Sequence, residues 1–60
     1  MTFGEFKNTV SLTTKLQVHN RNGEFLGWYN VDQFIRCDHC TVLIFWAIDP
    51  DRIGITLDID

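Results

Sequence analysis

The sequence has few of the residues that usually stabilise a very small protein. Its 60 residues include two cysteines and one proline, so the disulfide framework of small secreted scaffolds is missing. It contains neither a basic leader followed by an apolar run nor an apolar stretch of about 18 residues. These absences argue against secretion and membrane insertion, and the sequence predicts a cytoplasmic protein.

Positive charge is also scarce. Five Lys and Arg residues stand against eight Asp and Glu residues, giving a net charge of −3, and the basic residues are scattered along the chain. Nucleic-acid-binding proteins normally gather such residues into a stripe, so direct phosphate binding is disfavoured. Apolar residues, by contrast, make up 45% of the chain. A domain this short covers its apolar surface poorly, and we expect one domain, residues 1–60, that forms a homo-oligomer.

The N-terminal residues predict a short helix. Thr2 and Glu5 have the spacing of a capping box, in which each residue hydrogen-bonds to the backbone of the other. Phe3, Phe6 and Val10 recur with helical spacing and would lie on one face.

A first β-hairpin is predicted after this helix, beginning with the alternating segment Lys15–Asn20. The turn contains Asn22-Gly23, and the apolar pattern favours a three-residue loop with Gly23 in the left-handed conformation. This register sets Leu16 opposite Trp28 in the core.

A second hairpin joins Thr41–Ile48 to Ile53–Asp60 through a turn at Asp49–Arg52. A four-residue loop sets Trp46 opposite Ile55 in the core. The order of helix, hairpin, short helix or loop, and hairpin predicts an α+β fold with one four-stranded antiparallel sheet. The long final strand is expected to be an exposed edge.

Some apolar side chains of both hairpins are expected to point away from the core around Leu16, Trp28 and Ile55. The predicted interface residues are Phe25, Tyr29, Leu43, Phe45 and Ala47. Apolar patches of this size on small proteins usually mark interaction surfaces, so a second copy or another protein partner is predicted here. The alternative is that a short connecting helix around Phe34 covers them.

One segment has residues that could carry chemistry. Cys37, His39 and Cys40 have a spacing found in zinc sites, but a fourth ligand is missing. The sequence therefore predicts reduced, metal-free thiols and no cofactor. No nucleophile constellation or phosphate-binding loop is present, which favours a non-enzymatic protein.

Two alternatives remain open. Carboxylates at Asp49, Asp51 and Asp58 could bind a divalent metal in a small sheet protein that binds or nicks DNA. The other alternative is a small zinc-binding module built on Cys37 and Cys40.

Three segments together resemble a known group of proteins: Met1–Phe6, Arg21–Glu24 and Ile53–Leu57. In layout the chain is similar to short uncharacterised proteins encoded by phages and prophages of gut Firmicutes. The resemblance implies a mobile-element accessory protein that inhibits or redirects a host defence protein, as some small acidic anti-CRISPR proteins do. It implies no functional residue, because the shared layout has no defined active site.

Overall fold

The computed structural model describes residues 1–33 and 38–60. Its elements, in chain order, are helix α1 (Phe3–Lys7) and strands β1 (Lys15–His19), β2 (Phe25–Asn30), β3 (Val42–Asp49) and β4 (Arg52–Leu57). Between the hairpins, Val31 is fully buried and residues 31–33 form a turn. The predicted connecting helix around Phe34 lies outside the described residues.

Helix α1 begins where the sequence predicts. The Thr2 backbone N–H donates to the Glu5 carboxylate at 2.8 Å, and the Glu5 N–H donates to the Thr2 hydroxyl at 3.1 Å. The hydrogen bond from the Thr2 backbone is the main reason why the pKa of Glu5 lies below its ordinary value. The helix ends at Lys7, before Val10, and buries Phe3 and Phe6 against the sheet.

The four strands form one mixed sheet in the order β2-β1-β4-β3. The prediction of a purely antiparallel sheet is wrong, because β1 and β4 are parallel neighbours at its centre. The prediction that the last strand is an edge is wrong for the same reason. Strands β1 and β4 carry most of the fully buried strand side chains, so they take the two positions that have a neighbour on each side.

The first hairpin has the predicted loop but not the predicted register. Asn20 accepts from Gly23 and donates to Glu24, and Gly23 has the predicted positive φ of 83°. One pair later the register shifts, so that His19 lies opposite Phe25 but Val18 lies opposite Gly27. The extra residue, Leu26, is a β-bulge, and Gly27 has a φ of 135° that favours glycine.

Replacing Gly23 by alanine is expected to lower the free energy of unfolding by about 1 kcal/mol, because a Cβ penalises a positive φ. No atom lies within 4 Å of the added Cβ, so the loss comes from the backbone alone. Gly23→Asn is the matched control, since asparagine tolerates this conformation and should recover most of the loss. Urea unfolding curves measure both variants, and equal losses in the two would contradict the backbone explanation.

The second hairpin repeats this behaviour. Asp49 and Arg52 close the predicted turn, but Ala47, not Ile48, lies opposite Ile53. Ile48 is therefore a bulge, and a second register shift follows at Leu43. Each bulge moves the residues beyond it by one position, which exchanges the two faces of the strand.

The core lies between α1 and one face of the sheet. Its fully buried members are Phe3, Phe6, Leu16, Val18, Val31, Ile55 and Leu57. The loop before β3 is tied to the start of the helix, since the carbonyls of Cys40 and Asp38 each accept at 2.8 Å from the first helical N–H groups. Lys7 adds an ion pair with Asp38 at 2.7 Å.

Candidate functional site

The sheet face opposite α1 is open to solvent over the part of the chain that the structure describes. We call it the open face, and its members follow from strand register and alternation with the buried residues. They are Gln17, His19, Phe25, Trp28, Ile44, Trp46, Gly54 and Thr56. Four of these side chains are aromatic rings: His19, Phe25, Trp28 and Trp46.

One row of this face crosses all four strands from Trp28 through Gln17 and Gly54 to Trp46. The Trp46 ring lies flat over Gly54: a Cβ on that glycine would come within 3.0 Å of three atoms of the indole. Gly54 is accordingly buried although it faces the open side. At opposite ends of the row, the Trp28 side chain remains 44% exposed and that of Trp46 remains 38% exposed.

The neighbouring row runs from Phe25 through His19 and Thr56 to Ile44. The His19 ring stands between two other rings, with its centroid 5.7 Å from that of Phe25 and 5.5 Å from that of Trp46. Its Nδ1 atom is buried and finds no hydrogen-bond partner among the described residues. The Phe25 ring also meets Trp28 edge-on at 6.3 Å. The rings therefore form one connected aromatic platform.

A polar row borders this platform at the end nearest the second turn. It contains Lys15, Arg52 and Asp49, which are lateral neighbours across β1, β4 and β3. The Arg52 guanidinium lies 5.7 Å from the Trp28 ring centre, in the position of a cation–π contact. It also pairs with Asp49, and its hydrogen bond to that carboxylate is the main reason why the pKa of Asp49 lies below its ordinary value. The open face thus has an aromatic centre and a charged border.

The structure separates the five predicted interface residues. Phe25 lies on the open face, and Leu43 is exposed at its bulge. Tyr29, Phe45 and Ala47 are on the helix face instead, opposite Leu16, Ile55 and Ile53, respectively. The prediction that these three point away from the core is wrong, because the bulges invert the faces of β2 and β3. Phe45 contacts Phe6 at 5.3 Å between ring centres but is still half exposed.

The same inversion explains which site residues the sequence interpretation missed. Trp28 and Trp46 were expected in the core and lie on the open face. A signal for this was present in the glycines: an isolated glycine within a strand indicates a bulge or a close approach. Gly27 lies next to the β-bulge of β2, and Gly54 lies at the close approach of the Trp46 ring.

The predicted zinc ligands are only partly described. His39 is exposed, Cys40 is half-buried, and Cys37 lies outside the described residues. Cys40 is disulfide-bonded, so the expectation of a reduced thiol there is wrong. That expectation rested on the missing fourth zinc ligand and on the predicted cytoplasmic compartment, in which thiols usually stay reduced.

The structure does not bring together the three carboxylates proposed as ligands of a divalent metal. Asp49 accepts the Asp51 backbone N–H at 2.9 Å besides pairing with Arg52, and Asp58 pairs with Arg21 at 3.1 Å. Among the described residues, no three His, Cys, Asp or Glu side chains come close enough to hold a metal ion together.

Within residues 1–33 and 38–60, no helix is long and apolar enough to cross a membrane. Comparison of the chain with known protein families, curated proteins and solved structures gives no match.

Proposed function

We propose that this chain is a non-enzymatic, homo-oligomeric interaction protein that binds another protein through the open face of its sheet. The observation that carries the proposal is the aromatic platform formed by His19, Phe25, Trp28 and Trp46. Aromatic residues and arginine dominate the energetics of protein interfaces. Here the rings lie on rigid strands, so little side-chain entropy is lost when a partner covers them.

The size of the exposed apolar surface supports the same proposal. The large apolar side chains of the open face, Phe25, Trp28, Ile44 and Trp46, together expose on the order of 400 Å², at about 200 Å² for each fully exposed side chain. The largest apolar patch on a typical monomer is about 300–600 Å² and often functional. A chain of 60 residues that leaves two tryptophans this accessible has a surface suited to binding.

The charged border gives the surface an orientation. Arg52 is positioned by both Trp28 and Asp49 and remains partly exposed, so its guanidinium can donate to a partner without first being ordered. Lys15 lies beside it in the same row. With the resemblance to phage and prophage proteins, we propose that the partner is a host protein, as in inhibition of a host defence system such as CRISPR.

A second candidate function follows from the same platform. Single-stranded nucleic acids bind by stacking bases on aromatic rings along a positively charged groove. The rings and the cations Lys15 and Arg52 fit that description, but the net charge of −3 and the Arg52–Asp49 pair oppose it. We therefore favour a protein partner, and the experiment below also measures binding to a single-stranded nucleic acid.

Capture from host-cell lysate on immobilised protein tests the proposal, with Trp28→Ala combined with Trp46→Ala as the binding variant. We expect the wild type to retain a stoichiometric protein that this variant loses by at least about tenfold, the size of a single hot-spot contact. Leu12→Ala is the control, since Leu12 is exposed but lies outside the sheet.

Equal capture by the wild type and the tryptophan variant would contradict the proposal. Binding of a labelled single-stranded oligonucleotide that weakens steeply with salt, and is lost in the tryptophan variant, would instead support the nucleic-acid alternative.

A further inference from the structure

Strand β3 is an edge strand with apolar side chains on both of its faces. Six consecutive residues, Leu43–Ile48, are exposed, and none of them is charged. Ile44 and Trp46 lie on the open face, whereas Phe45 and Ala47 lie on the helix face. A partner that covers only the open face would leave the other side of this strand in water.

Natural edge strands usually carry a charge, a proline or a cover that prevents pairing with another chain. In the described residues, only Met1 and Thr2 pair with the outer side of β3, and they do so at its beginning: the Val42 N–H donates to the Met1 carbonyl at 2.9 Å, and Thr2 bridges Thr41. At the far end Asp49 is neutralised by Arg52. Between these two ends, no residue in the described part of the chain protects the edge.

We infer that a second copy of this chain pairs with this edge, so that the two β3 strands run antiparallel about a twofold axis. This inference deepens the homo-oligomeric part of the proposed function. Regular pairing would span Ile44–Ala47, the segment between the two bulges, and the axis would pass close to Phe45 and Trp46. Only an axis perpendicular to the sheet makes two copies of one edge strand antiparallel neighbours in a continuous sheet.

The available area fits such a dimer. The five large side chains of β3 expose on the order of 500 Å² per copy, at about 200 Å² for each fully exposed side chain. Two copies together provide about 1,000 Å², which is the lower size of a specific protein interface. This area is reached only when the β3 side chains of each copy are covered, so side-chain contacts would contribute most of the interface.

The geometry has a consequence for the binding surface. Because the axis is perpendicular to the sheet, the open faces of both copies lie on the same side. Trp46 and Ile44 of each copy then meet at the centre of one eight-stranded face. The aromatic platform of a single copy is half of the complete surface, and the partner would contact residues of both copies.

Light scattering after size-exclusion chromatography, at micromolar concentration, tests the inference with a matched pair of substitutions. Phe45 and Phe25 are 52% and 54% exposed, respectively, but lie on β3 and on the opposite edge strand β2. We expect the wild type and Phe25→Lys to have twice the chain mass of 7.0 kDa, and Phe45→Lys to have the mass of one chain. Ile44→Lys, on the open side of the same edge, serves as the second variant if Phe45→Lys does not fold by circular dichroism.

A wild type of 7.0 kDa would overturn the inference. A dimer that Phe25→Lys dissociates and Phe45→Lys does not would also overturn it, because the contact would then be face to face. Partner capture by a monomeric wild type would remove this inference and the homo-oligomeric part of the proposed function, but would leave the binding of a partner through the open face. A β3-dependent dimer whose capture does not require Trp28 and Trp46 would remove the binding function alone.

Discussion

Replacing Phe6 by alanine is expected to remove a large fraction of the protein's free energy of unfolding. Phe6 is 1% exposed and packs in the core with Phe3 and the central strands. Truncation of a buried phenylalanine costs about 3–5 kcal/mol. A chain of this length has a total stability of only about 3–9 kcal/mol, at roughly 0.05–0.15 kcal/mol per residue. Far-ultraviolet circular dichroism during urea unfolding measures the loss.

Leu12→Ala is the control for this substitution. Leu12 is 66% exposed, so its truncation should change the free energy of unfolding by no more than about 0.5 kcal/mol. All variants are compared at one protein concentration, because a dimer makes the apparent stability depend on it. A Phe6→Ala variant as stable as Leu12→Ala would show that α1 does not pack on the sheet.

The local features of this fold could be predicted from the sequence. The capping box of Thr2 and Glu5 and the positive φ of Gly23 are both present. The Asp49–Arg52 turn is also present. Each depends on a few adjacent residues whose chemistry permits little else, such as a hydroxyl that accepts an N–H or a glycine without a Cβ.

The faces of the strands could not be predicted in the same way. Side chains alternate with a period of two, so one inserted residue exchanges everything beyond it. The bulges at Leu26 and Ile48 lie close to correctly predicted turns, and they reverse the positions of Trp28 and Trp46. Extrapolating the register from each turn therefore predicted the loop correctly but assigned the strand side chains beyond the bulge to the wrong face of the sheet.

The sequence therefore predicted an exposed apolar surface on the sheet but not most of the residues that form it. An exposed apolar sheet surface exists, and Phe25 belongs to it. Its tryptophans were assigned to the core because the register extrapolated from each turn paired Trp28 with Leu16 and Trp46 with Ile55. The parallel pairing of β1 and β4 was also beyond local reasoning, since it joins strands that no turn connects.

Replacing Gly54 by alanine is expected to displace the Trp46 ring from the sheet. The added Cβ would lie within 3.0 Å of the Cε2, Cζ2 and Nε1 atoms of the indole, so the ring must move toward solvent. Such overpacking costs about 1–3 kcal/mol. The resonance of the Trp46 indole N–H should shift in a nitrogen–proton correlation spectrum, and partner capture through the open face should weaken.

A double-mutant cycle with Trp46→Ala separates this contact from any other effect of the methyl group. In the Trp46→Ala background nothing opposes the added Cβ, and alanine is favoured over glycine within a strand by about 0.5–1 kcal/mol. Gly54→Ala should therefore destabilise the wild type but be neutral or stabilising in that background. The same loss in both backgrounds, measured by urea unfolding, would mean that Trp46 does not rest on Gly54, and the platform would then lack the anchor that fixes this ring.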